Sequence, residues 1–393
     1  MHAPRTRRPD AKHPKGRHDT TCQHGLRTRT VLTAAALIFF AANSAFAAPS
    51  AAELARKVDQ LAADELATGP TAGISILVAH KGKVLLAKGY GYADVDKREP
   101  ATEHTVYRLG SLSKQFTAVA VLELVDQGLI RLDESIRTYL PGYPEVGQPI
   151  TPRHLLNHTS GLVSYTAQSE YWKHMNDDLP HSTVLGWFAS RDLAYTPGDR
   201  YVYSNSGYFV LGLIIEQVTG ESYAEYVQRE ILDPLKLRET YYDDGKKSVS
   251  NRALGYARDE KKIVPARELN MNLAYSVGGM ASSVLDIYAL HTALRAGKLI
   301  TPESYAIMTS PAWLNNGDFS KYGMGFHVDT WDGLHVLRHG GLVFGFKTCY
   351  YYYPKQDLTV IILMNTEEAQ YRPIQSAIAR MFIPDLPAAI DYE

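Results

Sequence analysis

Residues 114–127 place the strongest constraint on the fold. They are rich in Ala, Val and Leu on almost every side of a helix, and Gly128 follows them. A helix that is apolar all round is usually buried at the centre of a domain, and glycine commonly follows a helix end. We therefore expect a central buried helix with the rest of the domain packed around it.

A serine and a lysine stand at the head of this helix, in the only S-x-x-K motif of the chain, Ser111-Leu112-Ser113-Lys114. Residues three apart lie on one helical face, so the amine can reach the hydroxyl. A serine hydroxyl is a poor nucleophile until a base accepts its proton, and the free N–H groups of a first helical turn can bind an anion. The motif alone is weak evidence, but it can assemble the groups needed for acyl transfer.

The remaining pattern places strands at both ends of the chain and helices in the middle. Helical spacing covers residues 51–66, 283–296 and 373–381. Strand-like runs cover 74–80, 84–90, 325–330, 334–338, 346–353 and 358–365, and the first two are joined by a hairpin turn. This order predicts an α+β fold in which one antiparallel sheet is built from both termini.

The sheet-containing part is predicted to comprise residues 48–110 and 270–393, with a mostly helical subdomain inserted at 111–269. A cleft between the two parts is the expected site.

The first 47 residues are typical of an export signal. A basic lead precedes a short apolar stretch at 31–42, and Ala45-Phe46-Ala47 resembles a cleavage site. The apolar stretch is too short for a stable membrane span, so we expect a periplasmic or secreted protein. Cleavage would leave 346 residues with 33 basic and 40 acidic side chains, net −7, which argues against nucleic acid or an anionic membrane as partner. Cys349 would be the sole remaining cysteine, and we expect it to be buried.

Two further motifs lie downstream of Ser111. Tyr203-Ser204-Asn205 is the only Y-x-N sequence, and His339-Gly340-Gly341 is expected to end a strand. A tyrosine, with an ordinary pKa of about 10, can act as a base only if cations lower that pKa, and Lys114 is one candidate cation. Asn205 can hydrogen-bond the lysine or a substrate amide. Paired glycines let a backbone pass close to a ligand.

Several other features admit plain structural interpretations. His154 and His158 are four residues apart, but without an H-E-x-x-H motif we expect capping and packing near the cleft rather than metal binding. Lys321-Tyr322-Gly323 is a rival third motif that we discount because a strand follows it instead of preceding it. The tyrosines at 350–353 should alternate between two packed faces. The aromatic side chains expected to shape the pocket, unless they are simple surface packing, are Tyr165, Tyr171 and Trp172.

The three motifs in this order resemble those of the penicillin-recognising serine hydrolases. The resemblance is strongest to the class C β-lactamase-like branch, which also holds D-alanyl-D-alanine carboxypeptidases, D-aminopeptidases and β-lactamase-fold esterases. Segments 154–162, 278–280 and 322–326 are also similar to stretches common in this group, and the resemblance covers residues 51–383. It implies the β-lactamase/transpeptidase-like fold.

The resemblance also implies a role for each motif residue. Ser111 would be the acylated nucleophile, assisted by Lys114, and Tyr203 would be the general base. The N–H groups of Ser111 and Leu342 would form the oxyanion hole. Further substrate contacts would come from Asn205, His339, Gly340 and Gly341. His339 replaces the lysine found in many β-lactamases, and because a histidine is mostly neutral at pH 7, it would anchor a carboxylate more weakly.

These observations predict an exported serine hydrolase that works through an acyl-enzyme without a metal or organic cofactor. Its substrate would be a small molecule or peptide with an amide or ester bond: a D-amino-acid peptide, a β-lactam or a small ester. The alternative is a penicillin-binding sensor or binding protein of the same fold that does not turn over. The sequence leaves the oligomeric state open.

Overall fold

The computed structural model describes residues 48–245, 249–260 and 262–387, so the predicted signal peptide lies outside the described residues. The helices are α1 Ala51–Thr68, α2 Ser113–Asp126, α3 Ile136–Tyr139, α4 Pro152–Leu156, α5 Ser169–Lys173, α6 His181–Gly186, α7 Asn205–Thr219, α8 Tyr223–Val227, α9 Asp233–Leu235, α10 Met271–Gly278, α11 Val284–Arg295, α12 Pro302–Met308 and α13 Tyr371–Arg380. None of the helices in this part of the chain has both the length and the apolar character needed to cross a membrane.

One large sheet organises the molecule. The strands are β1 Gly73–His80, β2 Lys83–Asp94, β3 Glu99–Pro100, β4 Tyr107–Arg108, β5 Tyr241–Tyr242, β6 Tyr256–Asp259, β7 Lys262–Pro265, β8 Met280–Ser282, β9 His327–Trp331, β10 Leu334–Val343, β11 Phe346–Tyr353 and β12 Leu358–Met364. Seven of them form an antiparallel sheet in the order β3-β2-β1-β12-β11-β10-β9. This sheet contains strands from both ends of the chain and only helices and short strands intervene, which confirms the predicted α+β fold class.

Local sequence sets the helix ends. Ser50 caps α1, where its hydroxyl accepts the Glu53 N–H and the Glu53 carboxylate accepts the Ser50 N–H, a reciprocal capping box. Helix α7 ends at Thr219, and Gly220 follows it with a φ of 73°, a left-handed conformation that costs glycine little. Such ends fix the lengths of helices whose apolar faces then pack on the sheet.

Helix α2 is the predicted central helix, and nearly all of its side chains are buried. The prediction placed Ser111 on the head of this helix, whereas the helix begins at Ser113. Ser111 instead lies in a 3₁₀ turn, Gly110–Leu112, in which Gly110 has a φ of 53°. The tighter turn still directs Ser111 and Lys114 to the same side.

The tyrosine run shows how the sheet divides the core. Tyr350 and Tyr352 belong to the cluster on the helical-subdomain face, while Tyr351 and Tyr353 belong to the cluster under α1 and α13. All four are buried, which confirms the predicted packing on both faces. Cys349 is also buried, as expected.

Strand β10 is longer than predicted. The expected strand stopped at Arg338, but β10 continues through His339-Gly340-Gly341 to Val343 and pairs with β11 along this length. The motif therefore lies inside a strand rather than after one. The six short strands β3 to β8 were also missed, because two to four residues carry too little periodicity to indicate a strand.

Candidate active site

Ser111 and Lys114 meet at the junction of the 3₁₀ turn and α2. The Lys114 Nζ lies 3.0 Å from the Ser111 Oγ and donates to the Val277 carbonyl oxygen at 3.2 Å. The Lys114 side chain is completely buried, and its ammonium position lies 4.9 Å from the ring centre of Tyr203. The described contacts of the amine are thus to neutral oxygens and an aromatic face.

Burial lowers the pKa of Lys114 well below its ordinary value, because a charged amine is poorly solvated inside the protein. A neutral amine has a lone pair that can accept a proton. Its position beside the Ser111 hydroxyl is the geometry that an activated serine requires.

Tyr203 lies beside the same pair, with its ring centre 4.9 Å from the Lys114 Nζ and its hydroxyl close enough to Ser111 for the two to interact. Burial raises the pKa of Tyr203 well above its ordinary value, and this effect outweighs the opposing effect of Ser111. The expected lowering of the Tyr203 pKa by Lys114 is therefore wrong. The physical reason is that the lysine is itself desolvated and so supplies little positive charge.

Asn205 begins α7 and lies at the wall of the cleft. Its Nδ2 donates to the Thr166 Oγ1 at 3.0 Å, and its N–H donates to the Ser164 Oγ at 3.2 Å. The Oδ1 atom is buried and has no hydrogen-bond partner among the described residues. Of the two expected partners, Lys114 is therefore not hydrogen-bonded to Asn205 among the described residues, and the amide oxygen still lacks a partner of the kind that buried polar atoms usually have.

The paired glycines bring β10 against the segment that carries Ser111. A side chain on Gly341 would collide with the Leu109 carbonyl oxygen and the Thr348 hydroxyl. A Cβ on Gly110 would lie 2.8 Å from the Leu342 carbonyl oxygen. The backbones of Leu342 and the serine turn are therefore in direct contact, and this contact depends on residues without side chains.

His339 does not face the cleft. Its Nδ1–H donates to the Gly340 carbonyl oxygen at 2.6 Å, and its Nε2 accepts from the Tyr322 hydroxyl at 2.9 Å. Only 2% of the side chain is exposed, and burial lowers the pKa of His339 well below its ordinary value. The histidine is neutral, as expected, but it has no free nitrogen for a substrate carboxylate. The rival segment, Lys321-Tyr322-Gly323, therefore supports His339 through the Tyr322 hydroxyl and does not take the place of the His339-Gly340-Gly341 motif.

Next to Ser111 is a cavity of about 480 Å³. Its aromatic wall includes Tyr165, Tyr171 and Trp172, which confirms their predicted place around the pocket. Phe344 faces them from the β10–β11 turn, with its ring centre 6.3 Å from that of Trp172. The cavity is lined in addition by Gly110, Thr166, Asn205, Leu269, Ala274, Val277, Gly278, Leu342, Val343, Glu367 and Glu368.

Comparison with known proteins shows the family. The family model described as Beta-lactamase matches residues 58–380, most of the chain. The chain belongs to the beta-lactamase family. Penicillin-binding protein 4* of Bacillus subtilis is 29% identical over 75% of this chain and 68% of the relative. The chain spans between 64% and 68% of the length of the first curated relatives that it matches.

Solved structures agree with this assignment. A penicillin-binding protein homologue from Pyrococcus abyssi, described as octameric, has a TM-score of 0.70 and 29% identity, covering 82% of this chain and 77% of its own. EstCE1, described as a hydrolase with promiscuous acyltransferase activity, has a TM-score of 0.72 and 26% identity, covering 84% and 99%. These similar structures support a serine hydrolase and confirm the β-lactamase/transpeptidase-like fold.

His158 packs near the cleft, as expected, and the structure adds contacts that the sequence did not indicate. Its Nδ1 accepts the Ser204 N–H at 3.2 Å, and its ring centre lies 4.2 Å from that of Tyr203. The residue has a φ of 60°, uncommon outside glycine, and its buried Nε2 lacks a hydrogen-bond partner within the described residues. His158 therefore fixes the backbone of the beta-lactamase-family Y-x-N motif from behind.

His154, by contrast, caps α4, where it exchanges hydrogen bonds with Thr151. This confirms the predicted capping role. Across residues 48–245, 249–260 and 262–387, no group of three or more His, Cys, Asp or Glu side chains could hold a metal ion.

Proposed function

We propose that this chain is an exported serine hydrolase that forms an acyl-enzyme on Ser111 with an amide or ester substrate. The observation that carries the proposal is the 3.0 Å contact between the Ser111 hydroxyl and the buried amine of Lys114. The family membership and a cavity beside the serine support it. Such an arrangement is typical of nucleophilic catalysis.

The lowered pKa of Lys114 and the raised pKa of Tyr203 suggest how the proton moves in acylation. The Ser111 oxygen attacks the carbonyl carbon, and its proton passes to the neutral Lys114 amine. The N–H groups of Ser111 and Leu342 hold the oxyanion. As the intermediate collapses, the leaving amine or alcohol takes a proton delivered through the protonated Tyr203 hydroxyl, which Lys114 reprotonates.

Deacylation repeats these transfers with water. A water molecule gives a proton to the neutral Lys114 amine as its oxygen attacks the carbonyl carbon of the acyl-enzyme ester. The bond to Ser111 then breaks, and the proton returns to the Ser111 oxygen. Tyr203 and Lys114 thus exchange one proton in each half-reaction, and the product is a carboxylic acid. This scheme gives the base role first to Lys114, where the sequence favoured Tyr203.

Catalytic turnover of a substrate remains to be distinguished from irreversible binding of it. A D-amino-acid peptide, a β-lactam and a small ester are all candidate substrates, and a sensor would stop at a stoichiometric adduct. The buried Asn205 Oδ1 without a partner favours a substrate that donates an N–H group. The neutral, fully bonded His339 offers no anchor for the carboxylate of a β-lactam.

Intact-mass spectrometry with a penicillin and with a fluorophosphonate tests this proposal. We expect the fluorophosphonate to label the mature protein once, and Ser111→Ala to abolish the label while the folded state remains. A penicillin adduct that decays would indicate β-lactamase turnover, and a lasting adduct would indicate a sensor or slow peptidase. Equal labelling of the wild type and Ser111→Ala would refute the nucleophile.

Export is a separate part of the proposal and rests on the basic and apolar leader of residues 1–47. The N-terminal residue of the exported protein tests it. Cleavage after Ala47 would support a periplasmic or secreted enzyme. An intact leader on a membrane-bound protein would instead show that the uncleaved leader anchors the enzyme to the membrane.

A further inference from the structure

Two acidic residues line the cavity beside Ser111. Glu367 and Glu368 follow β12 and line the same cavity as the nucleophile. The Glu367 carboxylate accepts the Gly345 N–H at 3.0 Å, and the Glu368 carboxylate accepts the Arg258 N–H at 3.1 Å. Each carboxylate is therefore held by a backbone donor, with oxygen lone pairs left over for another partner.

Positive charge is scarce around this cavity. Among the described residues that line it, none is a lysine, arginine or histidine. Lys114 lies beneath Ser111 with a lowered pKa, and the neutral His339 lies behind β10. Lys347 is close enough to Glu368 for the two charges to interact, but it lines a different, smaller cavity with Arg372. Glu367 is consequently the less compensated of the two carboxylates.

The third acceptor is the Asn205 Oδ1, which is buried without a partner in the same cavity. Glu367 and Glu368 give the lining of this cavity a negative charge that no lysine, arginine or histidine among the described lining residues offsets. The same lining includes the apolar and aromatic side chains of Leu269, Trp172 and Phe344. An ammonium group has three donors and a positive charge, so it matches this lining, whereas a carboxylate would meet like charge.

We propose that the cleft selects substrates that carry a positively charged amino group next to an aromatic or other apolar side chain, with Glu367 as the main partner of the ammonium. The inference rests on the proposed function and narrows it. The substrate class is an amide or ester of an amino acid with a free amine. Substrates whose recognised group is a carboxylate, penicillins among them, are disfavoured.

Three p-nitroanilides of phenylalanine, each in D and L form, test this selectivity. One has a free amine, one is N-acetylated and neutral, and one is N-succinylated and carries a carboxylate. We expect kcat/KM to fall in that order, with about tenfold between neighbouring members, the size of a single charge contact of moderate strength. The free α-amine has a pKa of about 7.7–8.0, so its advantage over the acetyl substrate should shrink as pH rises through 8.

Substitution of Glu367 isolates the proposed contact. Glu367→Gln keeps an oxygen that can accept the Gly345 N–H, and we expect it to lower the ratio of free-amine to acetyl kcat/KM by about tenfold. Glu368→Gln should lower it less, because Lys347 already offsets that carboxylate. Glu145→Gln is the matched control, since Glu145 is exposed and does not line the cavity, and it should leave the ratio unchanged.

The outcomes separate the two proposals. Hydrolysis of the acetyl substrate without preference for the free amine would overturn the charge selectivity and leave the serine hydrolase intact. A ratio that Glu367→Gln and Glu145→Gln change equally would also overturn it. If no substrate is hydrolysed and no fluorophosphonate labels Ser111, the proposed function fails, and the selectivity fails with it.

Discussion

The two faces of the large sheet carry different cores. On the face covered by α1 and α13, the packing is almost wholly apolar, and the buried amide of Gln375 donates to the Tyr353 hydroxyl at 2.7 Å. On the face towards the cleft, the core encloses Lys114 and His158, with the His158 Nε2 lacking a partner inside the described part of the chain. Buried groups of this kind cost stability. The comparison indicates that packing on the first face stabilises the fold, while the second face keeps buried polar groups that are needed only for the proposed acyl transfer.

The largest expected effect comes from removing the buried amine. Lys114→Met should lower kcat/KM by about 10⁴-fold, because the first proton acceptor is lost, yet raise the free energy of unfolding at pH 7 by about 1 kcal/mol. The folded pKa of Lys114 is lowered, so below about pH 10.4 the unfolded chain binds the proton more readily and the lysine destabilises the fold. Urea unfolding at several pH values would measure the gain, which should shrink as pH rises towards 10.

The control for this experiment is Lys298→Met, at an exposed lysine outside the cavity. It should change neither activity nor stability by much. A Lys114→Met variant that is less stable than the wild type at pH 7 would contradict the division between the two faces. It would mean that the lysine contributes packing or hydrogen bonds that outweigh its desolvation.

A substitution at the centre of the apolar face tests how much this face contributes to stability. Ile362 is completely buried on β12, between β1 and β11 and under the terminal helices. Ile362→Ala should lower the free energy of unfolding by about 3 kcal/mol, since it leaves a cavity in a well-packed core. Activity per folded molecule should stay near the wild-type value, and denaturant titration with an active-site titrant would measure both quantities. A large fall in activity with little loss of stability would argue that this face does communicate with the cleft.

A smaller effect is expected for the phenol on the polar face. Tyr203→Phe keeps the ring against His158 but removes the hydroxyl that interacts with Ser111, so both acylation and deacylation should slow by about 10²-fold. Rapid-mixing mass spectrometry would resolve the two steps. Tyr201→Phe is the matched control, because Tyr201 stacks on Tyr322 and lies outside the cavity lining. Unchanged rates in Tyr203→Phe would leave the base role to Lys114 alone.

The sequence predicted the parts of the site that depend on short-range order. The S-x-x-K spacing placed an amine beside a hydroxyl, and the 3₁₀ turn preserved that placement although the helix begins later than expected. The orientation of His339 was not predictable. Whether its ring faces the cleft or Tyr322 depends on the register of β10, which residues far along the chain set by pairing. Glu367 and Glu368 carried no sequence signal for the same reason.

The sequence by itself determined the order of helices and strands, the central helix and the alternation of the tyrosines, because periodicity and helix caps act over a few residues. The tertiary structure alone decided which groups lose contact with water. Burial is a property of the whole fold, and it favours the neutral forms of Lys114 and Tyr203, where the sequence analysis considered a lysine cation and a tyrosine base, because it penalises the ionised form of each. It also brought two glutamates from the end of β12 into the cavity of a serine more than 250 positions earlier.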